Sequence, residues 1–224
     1  MEKESYSAEE LAKKYNIDME ALKREQIKLS KSLSLKDSMD FSLAERISAI
    51  STIFVGNQII SGIIVCNPEM EIIEQEYFQD KIRFPYIPGF RAYRELPAMI
   101  KAFEKLEEKP DLILINGHGI THPRLGMASH FSLSTGIPTI GIANSLIIGK
   151  EKNEDIILND KKIGKVLVTK PGSKPLYISP GNLISLETAY KLVSKMIRLP
   201  HKLPEPMHLA HKYVDEIKDE LLKI

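Results

Sequence analysis

The stretch Leu112-Ile113-Leu114-Ile115-Asn116-Gly117-His118-Gly119-Ile120-Thr121-His122-Pro123-Arg124-Leu125-Gly126 decides the fold. Its apolar run, 112–115, follows Lys109-Pro110-Asp111 and mixes leucine with β-branched isoleucine. Such a run predicts a short strand buried on both faces, as in the middle of a parallel or mixed sheet. Asn116-Gly117 is a turn dipeptide that ends it. Asn116 therefore stands at the carboxyl end of a central strand. Open α/β sheets bind ligands in the crevice outside that end. Gly117, Gly119 and Gly126 allow the backbone a close approach. His118, Thr121, His122 and Arg124 crowd polar groups into the same loop, and loops carry function. Taken by itself, the loop reads equally well as an ordinary glycine-rich turn.

Upstream of this strand, Ile47–Val55, Ile59–Cys66 and Glu71–Phe78 carry strand signals, with Gly56-Asn57-Gln58 and Asn67-Pro68-Glu69 as turns. Connections this short predict an antiparallel meander. A proline-rich loop, Phe84–Phe90, precedes a helix running to about Lys109, whose charged end, 101–109, reads as a solvated face. Downstream, a helix over about 126–135 leads into a second buried strand, 138–143. That strand–helix–strand unit predicts a parallel pair with a right-handed crossover. A turn-rich β region, 154–179, has strands at 156–158 and 165–169, and helices at about 185–198 and 205–223 finish the chain. Before the meander, Ser7 caps a helix over 7–15, and an amphipathic helix follows over 18–34. The expected fold is α/β, a mixed sheet flanked by helices. It forms one domain over 1–224 with an N-terminal helical extension at about 1–35.

Lysine plus arginine number 31 against 30 for aspartate plus glutamate, so total charge does not point to a polyanion partner. A basic groove opposite an acidic face would still admit one. Cys66, the only cysteine, excludes an intramolecular disulfide and a cysteine zinc site, and reads as a small buried hydrophobe. Met1–Ser5 is polar, with no apolar segment of signal length behind it, and no stretch approaches a membrane span. A soluble, cytoplasmic protein with no membrane partner is expected.

Two separated stretches resemble the endonuclease V family. One is Pro85-Tyr86-Ile87-Pro88-Gly89-Phe90 followed by Arg94-Glu95; the other is Gly117–Arg124 with Gly126, Ala128, Ser129, His130 and Phe131 behind it. Pro175–Gly181 looks like that family's late β-turn. Arg198-Leu199-Pro200, Leu203–Pro206 and Ala210-His211 look like its C-terminal helix. The likeness runs from about residue 20 to 215. It implies an RNase H-like fold and magnesium- or manganese-dependent cleavage 3′ of inosine in DNA or RNA. The logic of that chemistry is two-metal hydrolysis, in which clustered carboxylates hold the ions.

By resemblance, Glu95 falls on a metal ligand and His211 on the histidine beside the metal site. Tyr86 falls in the loop that wedges into the duplex, with Pro85, Ile87, Pro88 and Gly89. An aromatic wedge fills the gap left by a base rotated out of the stack. Gly117, Gly119, His122, Arg124 and Gly126 fall in the loop that would line the base pocket. Plainer readings compete. Glu95 serves equally as a first-turn helix acid, His211 as a helix histidine and Tyr86 as a loop anchor. His122 and Arg124 either cap the next helix or meet a phosphate, and His118 and His130 read as structural.

The departures from the family weigh more than the matches. Ser51 stands where the family's first strand has a metal-binding aspartate, and Asn116 where it has aspartate before Gly-His-Gly. Asn144 stands where it has a lysine near the scissile phosphate, and Asn182 replaces a histidine. The site set is thus Ser51, Glu95, Asn116, Asn144 and His211, with Glu95 and Asn116 left as metal ligands. One carboxylate makes a poor magnesium cage. The reading favoured is an inosine-binding member of the family with weak or lost nuclease activity. An active nuclease with substitute ligands, Asp111 or Glu187 first, is the alternative; a non-catalytic scaffold is the third. The sequence does not set the oligomeric state, a monomer being one reading. Ser51, Glu95, Asn116 and His211 should converge.

Overall fold

A computed structural model describes residues 6–223; the polar start Met1–Ser5 and Ile224 lie outside the described residues. The meander forms as expected, from β1 (Ile47–Val55), β2 (Gln58–Cys66) and β3 (Ile72–Lys81), each antiparallel to the one before. β4 (Leu112–Asn116) runs parallel to β1, and β5 (Thr139–Ala143) parallel to β4, with α4 (Met127–Thr135) as the crossover. Beyond β5 the sheet continues antiparallel through β9 (Leu176–Asn182), β8 (Lys161–Leu167), β7 (Asp155–Leu158) and β6 (Lys150–Lys152). The order of the nine strands is β3-β2-β1-β4-β5-β9-β8-β7-β6, so β4 lies inside the sheet.

Helices cover both faces. α3 (Arg91–Phe103) and α4 set Leu96, Met99, Phe103 and Phe131 on Ile50, Ile63, Ile113 and Ile115. On the other face, α5 (Leu186–Lys195) and α6 (Glu205–Leu221) set Val193, Met207 and Ala210 on Ala49, Ile64, Leu112 and Leu114. Burial on two faces is why 112–115 carries no polar alternation. Each of its side chains contributes about 1.5–3 kcal/mol relative to an exposed one. α1 (Ala8–Lys14) starts on a capping box between Ser7 and Glu10, and α2 (Met19–Ser30) on Asp18. Ala12 of α1, with Leu22 of α2 beside it, packs against Ile87 and Phe90 of the proline-rich loop.

Three elements differ from expectation. α3 stops at Phe103, not at Lys109, because the chain turns to dock on β3: the Glu74 carboxylate accepts the Glu107 backbone N–H at 2.6 Å. α2 ends at Ser30, and Ser34 then donates its N–H to the Asn182 side chain at 2.7 Å, drawing the connection onto β9. The late β-turn is strand β9. The register shifts between Thr139 and Ile140, so that Gly181 lies outside the ladder while Pro180 stays in register with Ile140 and its carbonyl accepts the Ile120 N–H at 3.0 Å.

Candidate active-site cleft

Ser51 and Asn116 come together through the parallel ladder. Ile50 pairs with Ile115, so Ser51 and Asn116 are the next residues along adjacent strands. Both continue the alternation of Ala49 and Leu114, which face α6. α6 approaches closely because Ser51 pairs with Gly62 on β2, where a Cβ would strike Val214 and Tyr213 of that helix. His211 is thereby brought to Ser51, with Oγ and Nδ1 3.3 Å apart. Burial, and more weakly His208, lowers the His211 pKa, while Asp215 opposes them.

Glu95 arrives from α3 with its charge already met. The Arg91 guanidinium sits one helical turn before it and donates from Nε to Oε1 at 2.6 Å and from Nη2 to Oε2 at 2.8 Å. Its Nη1 donates to the Asn116 carbonyl at 3.1 Å. The carboxylate side chain is only 5% exposed, the arginine side chain 41%. Arg91 therefore links Glu95 to the Asn116 carbonyl at the end of β4, while Ser51 and His211 meet directly on the neighbouring strand end. Neither of the substitute acids proposed from sequence supplies a missing carboxylate. Asp111 lies at the opposite end of β4, accepting the backbone N–H groups of Glu45 and Arg46 at 2.9 Å each. Glu187 is 3.5 Å from Lys165. Among the described residues no group of three or more His, Cys, Asp or Glu is placed to hold a metal ion. The donors present do not suit a magnesium site: one carboxylate, already neutralised by a guanidinium, with neutral hydroxyl, amide and imidazole groups around it.

Beside His211 opens a cavity of about 430 Å³ lined by Asn116, Asn144, Lys170, Lys202 and His208 among others. Asn144 follows β5, and its Oδ1 accepts a hydrogen bond from Lys202 Nζ at 3.0 Å. The cation absent from position 144 is thus returned from the loop before α6. Lys170 Nζ donates to the Pro200 carbonyl at 3.1 Å. His208 stacks on His201 with ring centroids 3.6 Å apart, and His201 faces Glu205 at 3.1 Å. Asn182 stands apart from the cleft: it is buried and ties Ser34 to Ser132, a structural role.

A second cavity, about 170 Å³, is lined by Tyr86, Arg91, Gly117, His118 and His122 among others. Its glycine loop lies on β9. Gly119 N donates to Ser179 Oγ at 3.0 Å and Ile120 N to the Pro180 carbonyl at 3.0 Å. A Cβ on Gly119 would run into Pro180, and one on Gly126 into the His118 carbonyl. What these glycines approach so closely is therefore the protein's own backbone. His122 Nδ1 accepts the N–H groups of Arg124 and Leu125 at 3.2 and 3.1 Å. Burial, helped by Arg124 and His118, lowers its pKa to about 4, so the ring is a neutral cap. Arg124 turns inward, donating to Gln26 Oε1 at 2.6 Å and to the Gly89 carbonyl at 3.0 Å. Gly89 needs glycine, with φ +80° and Arg124 against the place of a Cβ. Pro85 and Ile87 are buried anchors of the loop, which leaves Tyr86, 60% exposed, and Pro88 at its outer surface.

The Endonuclease V family model matches residues 27–212, which include every element of this cleft. The chain belongs to the endonuclease V family. The endonuclease V of Thermosipho melanesiensis is 38% identical over 202 residues, covering 86% of this chain and 88% of that protein. That of Dictyoglomus thermophilum is 35% identical over 215 residues, covering 88% and 94%. The catalytic domain of human endonuclease V superposes with a TM-score of 0.83 at 26% identity, over 92% of this chain and 97% of that one. A Ciona intestinalis endonuclease V, solved with a 24-mer DNA containing an inosine followed by a ribo-adenosine, has a TM-score of 0.83 at 24% identity, over 91% and 98%. The fold is the RNase H-like α/β fold of the endonuclease V structures. Among the described residues no helix is long and apolar enough to cross a membrane. Arg91 and Lys202 were not singled out from sequence. The four-residue spacing of Arg91 and Glu95 on a helix signals the first; no sequence signal links Lys202 to Asn144.

Proposed function

We propose that this endonuclease V binds inosine-containing DNA or RNA and has weak or no metal-dependent nuclease activity. The observation that carries this reading is Arg91 seated on both oxygens of Glu95, the one carboxylate among the matched positions. A nuclease of this class needs clustered anionic oxygens to hold the ions that activate water and stabilise the leaving oxygen. Here Ser51, Asn116 and the guanidinium leave the cleft without net anionic donors, so no hydrolytic step is assigned to it. The binding half of the site supports recognition. Tyr86 is exposed on a loop anchored by Ile87 and Phe90, next to a cavity built from Gly117, His118 and His122. A stacking side chain beside a small polar pocket suits a base turned out of its strand. The Ciona protein of the same fold, solved with inosine-containing DNA, points to the same ligand class.

The identity to the Thermosipho and Dictyoglomus endonucleases V favours a second reading, an active enzyme that cuts 3′ of inosine. One experiment separates the two. Inosine-containing and matched adenine-containing oligonucleotides are incubated with the protein and magnesium or manganese, with binding and strand scission read in parallel. Preferential binding of the inosine strand without scission supports the first reading; scission supports the second.

A further inference from the structure

We propose that the cleft holds a nucleic-acid phosphate with its own side-chain cations, Lys170, Lys202 and Arg91, and that this binding needs no divalent metal. The inference rests on the reading just given and adds the ligand chemistry of the cavity between Asn116 and Asn144.

The charge of the cavity is the first argument. Its lining contributes two ammonium groups and no carboxylate. Both ammonium groups are steadied by neutral oxygens, Lys170 by the Pro200 carbonyl and Lys202 by the Asn144 amide. A neutral acceptor fixes the direction of an ammonium group and leaves its charge unspent. Each keeps N–H donors in reserve, since an ammonium has three and these bonds use one. His208 and His211 add polar ring edges on the same wall. At about 430 Å³ the space has the size of a small-molecule site, enough for a phosphate with part of its nucleotide.

The second argument is where the charges stand. Lys202 meets Asn144 at the end of β5, and Arg91 meets Asn116 at the end of β4. A guanidinium has five N–H groups, of which the contacts to Glu95 and Asn116 use three. The side chain is partly exposed and lines the neighbouring cavity beside Gly117, where the other two can meet a ligand oxygen. Arginine and lysine cannot polarise a water as a metal does, but they bind phosphate oxygens well. The cleft thus has cations at both strand ends for a ligand that stays intact.

The test is fluorescence anisotropy with a labelled inosine-containing duplex, at matched ionic strength with magnesium or with EDTA. The expected affinity in EDTA is within twofold of that in magnesium. In a salt titration the K170Q/K202Q variant should lose about 1.8 from the magnitude of the log K against log salt slope, two phosphate contacts at about 0.9 each. K170R/K202R should restore it. Lys170 is exposed and Lys202 half-buried, and circular dichroism checks that the variants fold. Tenfold tighter binding with magnesium, or a K170Q/K202Q slope equal to the parent's, overturns the proposal. The same tubes, run on a denaturing gel, report scission. Scission would overturn the reading of lost activity without touching the salt slopes. A slope that shifts as predicted sustains the phosphate site even with no preference for inosine over adenine.

Discussion

Replacing Arg91 by methionine tests whether the guanidinium is what makes Glu95 tolerable beneath the sheet end. The stem of the side chain is kept, so the change removes charge and donors and little packing. Breaking a buried pair by deleting one partner costs about 3–5 kcal/mol, because it strands the other charge. Glu95 is 5% exposed, but Arg91 is 41% exposed, so water can partly replace the guanidinium. That discount brings the expected loss to roughly 2–3 kcal/mol. For a domain of this size it corresponds to a fall in Tm of roughly 4–12 °C. Urea denaturation at pH 7 measures it. R91M/E95Q, with both charges gone, should recover most of the loss and give a coupling of at least about 1 kcal/mol in the double-mutant cycle. A loss below about 0.5 kcal/mol for R91M would refute the reasoning, since Glu95 would then be content without its cation.

Tyr86→Ala should weaken binding to inosine-containing strands by roughly 1–3 kcal/mol, the worth of one stacked base, and leave the urea midpoint unmoved; equal affinity in a filter-binding assay removes the wedge. His122, with its pKa lowered to about 4, binds fewer protons folded than unfolded, so its contribution to stability is present above about pH 6.5 and is lost as pH falls toward 4. Burial lowers His118, His130 and His211 in the same direction, so urea midpoints of H122N should fall less steeply than the parent's between pH 7 and 4.5 without becoming flat. Rebuilding the metal site should require three changes, Ser51→Asp, Asn116→Asp and Arg91→Leu. Manganese binding by calorimetry should appear with all three and be much weaker with the two aspartates alone, because Arg91 then still covers Glu95.

The meander was legible because short turns separate runs rich in β-branched residues, and the central strand because four apolar residues leave no polar face. The meeting of Ser51, Asn116 and His211 followed from strand ends and the motifs together, with Glu95 joined to them through Arg91. β9 was hidden by Pro180 and Gly181, which signal a turn until the bulge at Thr139 is known. The end of α3 was hidden because the contact that draws the following chain away, Glu107 N–H to the Glu74 carboxylate, is made with a distant strand. The packing of Ile87 against α1 and α2 was hidden, since nothing local signals that contact. The loss of acids at 51 and 116 was plain in the sequence; the placing of a cation beside Asn144 was not. Lys202 reaches Asn144 from 58 residues away, a contact set by tertiary packing alone.

The most direct measurement is single-turnover incubation of the unmodified chain, in excess over inosine-containing DNA and RNA, with magnesium and then manganese. The products are resolved on a denaturing gel. A cleft whose one carboxylate is closed by Arg91 predicts bound, intact strands in both metals. Rapid, metal-dependent scission on the 3′ side of inosine would contradict it.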